Sequence, residues 1–340
     1  MMKQNRVLFI ILLFMSSKAL AVNDRLILTD DPPKRLSEYN FFLNPINQSP
    51  NEQVVPYELI TALFSDYSEK HRFVYVPDGM TAVYNDDEVF DFPVGTALIK
   101  TFSYQKTDGS ELLLETRLLL HKDDGWDALT YVWDMNEGDA YLALGGKTID
   151  VRNVITPSNS NYIRYRVPNK NQCKECHLKN DAIEPIGPKP RNINKEIVYR
   201  DDAKRNQIDH WTAIKILQEK NYSYDRMVNA FDQNYDLNLR ARSYLDINCG
   251  HCHSPEGSAS SSGLYLSIDD EDFGIYKKPV AAGRGSGGLS YSIVPGYPQE
   301  SILLYRMLSN EPDVMMPESG RTLMHDEAIE LLSEWITEMK

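Results

Sequence analysis

The sequence predicts an α+β multidomain protein, in which a mostly antiparallel β domain precedes an α-helical region built around two Cys-x-x-Cys-His motifs. Three observations carry this. Strand-like alternation with Asp-Gly turns fills the first half of the chain, all four cysteines fall in CKECH and CGHCH, and helical apolar stripes flank the second motif. A length of 340 residues and a hydrophobic content of 42% suit two to three domains with real cores rather than a disordered chain.

Residues 1 to 21 read as an export signal. MMKQNR is basic, VLFIILLFM is apolar, and the segment closes on Ala19-Leu20-Ala21, a pattern suited to signal peptidase, so the mature chain is expected to begin at Val22. The apolar run is too short for a bilayer span, and no later segment offers a stable one. Losing Lys3, Arg6 and Lys18 makes the mature chain more acidic than the net −13 of the whole, which disfavours nucleic acid and suits a basic docking partner.

Residues 22 to 168 read as the β-rich domain. FPVGTALIKTFSYQ and ELLLETRLLLHK flank Asp108-Gly109, Asp124-Gly125 precedes WDALTYVWD, and YIRYRVP alternates Ile163, Tyr165 and Val167 against polar neighbours. Residues 169 to 232 hold the first motif. In residues 233 to 340, LNLRARSYLDIN puts Leu237, Ala241, Tyr244 and Leu245 on one helical face. The closing DEAIELLSEWITEMK does the same with Ala328, Leu331, Leu332, Trp335, Ile336 and Met339, and Asp326 and Glu327 suit its first turn.

The cysteines define the chemistry. Cys173 with Cys176, and Cys249 with Cys252, are too close for ordinary structural disulfides. A four-thiolate zinc site leaves both following histidines unused and needs closer knuckles than these. Covalent haem uses every residue, because cysteines three apart present both sulfurs on one side to the two vinyl groups and carry the next residue under the iron. His177 and His253 are then the expected proximal ligands. Two haem c groups are the expected cofactors, an α-helical c-type cytochrome region the expected architecture, and the periplasm the expected location.

Met316, before Pro317 in VMMPESG, is the expected sixth ligand of the second haem, with Met315 as the alternative. Nothing comparable follows CKECH, so His210, Met227 and His121 are weighed there beside an open position. Arg284, in the Gly- and Ser-rich GRGSGG, is expected near a haem propionate. That stretch lacks the strand and helix needed for dinucleotide binding, and the acidic run at 269 to 272 reads as surface rather than a Ca²⁺ site.

CGHCH, AAGRGSGGLSYSIVPGYPQESILLYRML and VMMPESGRTL resemble a bacterial family of diheme c-type cytochromes. The likeness extends through CKECHLKNDAIEPIGPKPRNIN, DALTYVWD, FPVGTALIKTF and YELITALFSDYSEKHRFVYVPDG. The C-terminal part separately resembles class I cytochromes c, which implies haem on Cys249 and Cys252 with His253 and Met316 on the iron. The expected function is periplasmic electron transfer to redox partner proteins. The alternative is a peroxidase-type diheme oxidoreductase with an open site at the first haem.

Overall fold

The structure, a computed structural model, describes residues 20–86, 88–157, 162–219, 225–271, 274 and 283–340. All of the expected export signal except Leu20 and Ala21 lies outside the described residues, as does part of the acidic run at 269 to 272. Among the described residues no helix is long and apolar enough to cross a membrane.

A short helix α1 (Arg25–Leu28) and a small hairpin of β1 (Phe42–Asn44) and β2 (Ser49–Pro50) lead into a six-stranded antiparallel meander. Its strands are β3 (Val54–Pro56), β4 (Glu69–Tyr75), β5 (Ala97–Gln105), β6 (Glu111–Lys122), β7 (Gly125–Asp134) and β8 (Asp139–Leu142), paired in chain order. The long strands follow from β-branched and aromatic runs punctuated by turns that need positive φ. Gly109 at +83° closes the β5–β6 hairpin and Gly125 at +117° opens β7.

One face of the sheet is largely apolar, interrupted by the buried Thr101–Thr116 hydrogen-bonded pair. Phe73, Tyr75, Ile99, Leu118, Leu129 and Tyr131 pack there against Ile27, Leu36, Tyr39 and Phe41. The opposite face is divided. At one end Phe102, Tyr104 and Val132 meet the hairpin of β9 (Lys147–Arg152) and β10 (Tyr162–Val167), whose Ile163, Tyr165 and Val167 are buried in alternation. At the other end Val74, Val76 and Leu98 meet Ile193, Ile197, Ile208 and Trp211. Trp211 is fully buried, edge-on to Tyr57 at 5.8 Å. Residues beyond 168 thus complete the core of the sheet.

After β10 the elements are short: α2 (Lys170–His177), β11 (Leu178–Lys179), β12 (Ala182–Ile183), α3 (Pro190–Ile193), β13 (Glu196–Val198), β14 (Lys204–Asn206) and α4 (Gln207–Ala213). Then follow α5 (Leu237–Leu245), α6 (Ile302–Met307) and α7 (Asp326–Glu338). In α5 and α7 the apolar stripes meet: Ala241, Tyr244 and Leu245 pack with Ala328, Leu331, Leu332, Trp335 and Ile336. Trp335 Nε1 donates to Asn238 Oδ1 at 2.9 Å.

The predicted fold class is corrected here. The protein is β-rich, with seven α-helices among the described residues, the longest of 13 residues, and the chain after 168 is no helical cytochrome region. The physical reason is composition. Pro185 to Pro190, the Gly- and Ser-rich 254 to 263 and Gly283 to Gly288 interrupt the chain with residues that favour turns, so helices form only where an uninterrupted apolar stripe finds a partner.

Candidate functional site

The second motif grows out of α5. Asp236 Oδ1 caps that helix, accepting from Asn238 N at 2.9 Å and Leu239 N at 3.2 Å. The helix then widens into a π turn over Asp246–Gly250, and Cys249, Cys252 and His253 follow the curve. Asp246 anchors the turn from within, accepting from Arg191 Nη2 and from Ile268 N, each at 3.1 Å. Burial pushes its carboxyl up, but Lys189 and Arg191 outweigh burial and hold it below the usual range.

Residues 61 to 68 tie this turn to the methionine loop. Phe64 N donates to Asn248 Oδ1 at 2.8 Å, while the buried Asp66 carboxylate accepts from Thr322 N at 2.6 Å and Leu323 N at 2.7 Å. Met316 is held by its own backbone: its N–H donates to Arg306 O at 3.0 Å, and its carbonyl accepts from Arg321 Nε at 3.0 Å. A cavity of about 430 Å³ results, lined by Cys249, Cys252, His253, Met316, Met307 and apolar Leu264, Leu266 and Leu303. That volume lies within the range of cofactor sites. Met315 is buried but does not line the cavity, whereas Met307, which sequence reasoning missed, does.

The first motif forms α2, whose capping box joins Asn169 and Gln172: Gln172 N donates to Asn169 Oδ1 at 2.9 Å and Asn169 N to Gln172 Oε1 at 3.0 Å. Along α2, Gln172, Cys173, Cys176 and His177 are half-buried, while Asn171, Lys174 and Glu175 are exposed. Cys173, Cys176 and His177 line a second cavity of about 130 Å³, against Arg72, Lys100 and Arg117 of the sheet.

Both motif histidines are prepared as ligands. His177 Nδ1 donates to Glu184 O at 2.7 Å, which leaves Nε2 with its lone pair, and His253 Nδ1 meets Ser262 Oγ at 3.1 Å. Burial lowers each imidazole to about 4, so both are neutral at ordinary pH. All four cysteines are free thiols. Burial pushes Cys249 up to about 12 and also raises Cys173.

The two motifs meet. Cys176, His251 and Cys252 bring their ligand atoms within 4.8 Å of one another, and Cys176, Asn248 and His251 line both cavities. The closeness of Cys252, helped by His251, holds the Cys176 thiol well below its usual value, and the same closeness raises Cys252. His251 Nδ1 is buried without a hydrogen-bond partner among the described residues. Its position inside CGHCH was the only sequence signal for it.

Several expected participants lie elsewhere. Arg284 is exposed, pairs with Glu311 at 3.2 Å and lies outside the lining of the larger cavity, which Arg306 joins. The reason is that residues 302 to 307 form α6, which carries Arg306 inward while the Gly-rich turn stays at the surface. His210 packs on Tyr199, Met227 is buried, and His121 bonds Phe92 O and stacks on Trp126; none lines the first cavity. Comparison with protein-family models, with curated proteins and with solved structures finds no match.

The donor set fits haem c at both motifs: paired thiols, an adjacent neutral imidazole with Nδ1 engaged, and at the second motif a thioether in the same cavity. At the first motif the donors fit while the space is smaller than the usual 300 Å³ or more.

Proposed function

We propose that this chain is an exported diheme c-type cytochrome that carries electrons between periplasmic partners, with haem attached at Cys173/Cys176 and at Cys249/Cys252. The observation that carries this reading is the pairing of each cavity with its own CxxCH motif and a neutral histidine whose Nδ1 is already engaged. Each iron-porphyrin, when bound, supplies a one-electron couple. The chain's part is to hold His177 and His253 in one tautomer, to surround the second site with Leu264, Leu266 and Leu303, and to offer Met316 from a fixed loop.

The wild-type protein, expressed with cytochrome maturation machinery, should have the mass of a chain starting at Val22 plus two haems, and should retain haem on denaturing electrophoresis. An intact Met1, or a polypeptide mass without haem, would overturn the export or the cofactor reading respectively.

Met316 is the proposed sixth ligand of the second haem. Met316→Ala is expected to remove the Met-to-iron charge-transfer band and lower the higher midpoint potential, while Met315→Ala leaves both in place. If Met307→Ala removes the band and Met316→Ala does not, the ligand is the other thioether of this cavity.

A second reading is favoured by one observation. Cys176, His251 and Cys252 converge tightly enough to bind a single soft metal ion such as Zn²⁺. That reading predicts a colourless protein with one equivalent of metal, which the same mass measurement distinguishes.

A further inference from the structure

The sheet face beneath α2 carries a charge arrangement that its own fold does not need. Register places Arg72 opposite Lys100 and Lys100 opposite Arg117, so three basic side chains stand side by side across β4, β5 and β6, and burial, then Arg117 and Arg72, lower Lys100 to about 7. Two residues along, Lys70 pairs with Phe102 and Phe102 with Glu115 on the same face. The Phe102 ring is shared by Lys70 Nζ at 5.8 Å, Lys100 Nζ at 5.1 Å and the Arg117 guanidinium at 4.2 Å.

Like charges directly opposite one another destabilise a sheet, and burying them adds a desolvation penalty. The flanking positions of this face show what a purely structural solution looks like: Val74, Leu98 and Leu119 on one side, Tyr104 and Val132 on the other. The internal compensation is small. Glu115 is the one carboxylate in ion-pair contact with any of these four cations among the described residues, and it is committed to Arg117 at 2.6 and 3.0 Å and to Tyr165 Oη at 2.6 Å. Lys70 Nζ donates to Ser68 O at 2.7 Å and Arg72 Nη1 to Lys70 O at 3.3 Å, while Lys100 makes no hydrogen bond or ion pair among the described residues.

The row is also aimed. Arg72, Lys100 and Arg117 all line the cavity that holds Cys173, Cys176 and His177. The charge of Arg117 reaches the Cys173 thiol, and that of Lys100 reaches His177. An anionic group in that cavity would meet three cations about one strand spacing apart, in a place where water is scarce and ion pairing is strong.

We infer that the Arg72–Lys100–Arg117 row is a carboxylate-binding site, and that its occupants are the propionates of the haem attached at Cys173 and Cys176. The inference rests on the diheme reading and adds the residues that orient the first haem and set its potential. Positive charge beside a haem favours the ferrous form, so these are positioning residues rather than ligands.

The test is a redox titration of the full-length diheme protein, with the higher-potential haem as internal reference. Lys100→Gln and, separately, Arg72→Gln should each lower the lower midpoint potential, shifting that haem's reduced-to-oxidised ratio about tenfold, or roughly 59 mV for one electron. The other haem should not move, and Lys100→Arg should restore the wild-type value. Lys204→Gln, a change on an exposed lysine paired with Glu196, serves as the control. Two covalent haems with unchanged potentials in both variants would overturn this inference alone. A wild-type protein without covalent haem would overturn it together with the diheme reading. A saturable spectral response of the first haem to added acetate, lost in Lys100→Gln, would show that the row takes a free carboxylate and would overturn the propionate assignment.

Discussion

Cells producing the protein with Cys249→Ala and Cys252→Ala together are expected to export a chain carrying one covalent haem, so that haem absorbance per polypeptide falls by about half. The spectral signature of the methionine-ligated site should vanish, because Met316 shares its cavity with these cysteines and not with Cys173. The reciprocal change, Cys173→Ala with Cys176→Ala, should leave that signature intact. Mass spectrometry and haem absorbance of the purified variants decide between outcomes. Unchanged haem content would show that the sulfurs are not attachment points. Loss of the entire chromophore in either variant would show that the two motifs do not load independently.

Asp246→Ala is expected to destabilise the fold by about 3–5 kcal/mol, since it leaves the buried Arg191 and Lys189 without their shared carboxylate. It should also loosen the π turn that presents Cys249, through the lost contact with Ile268 N. Chemical denaturation of wild type and variant gives the difference. The pH dependence has a definite sign. The carboxyl in the folded protein titrates below its unfolded value near 4, so its contribution is complete above that value and disappears as pH falls through the lower folded one. The gap between wild type and Asp246→Asn should therefore be constant near neutrality and close in acid. A gap that widens in acid would show that the pairing with Lys189 and Arg191 is not what stabilises the turn.

What the sequence made legible was local. Alternation in YIRYRVP and the Asp-Gly pairs mark hairpins because side-chain period and turn chemistry are written in adjacent residues, and the stripes of α5 and α7 are legible for the same reason. The cysteines and histidines of CKECH and CGHCH announce themselves by spacing alone. The architecture after residue 168 did not follow from them, since a cofactor motif constrains a handful of residues and says little about the loops between. Arg284 was placed by proximity in sequence to a Gly-rich turn, whereas the direction of α6 decides that Arg306 points inward. The cation row was invisible for a deeper reason. Arg72, Lys100 and Arg117 come from three strands, and only the register between those strands makes them neighbours. His251 and Met307 likewise became candidates only when folding closed a cavity around them.

The meeting of Cys176 with Cys252 bears on timing. In the folded chain these sulfurs lie against His251 and each other, Cys249 is half-buried, and residues 61 to 68 clamp the turn from the side of the sheet. An enzyme that joins a porphyrin to a thiol needs room to grip the motif, and that room exists only before the second motif has docked on the first. On the diheme reading, attachment would occur on an open chain and the final collapse around cargo already loaded. On that reading, a copy that missed either haem would close over a hollow and open locally more often, which exposes it to proteolysis.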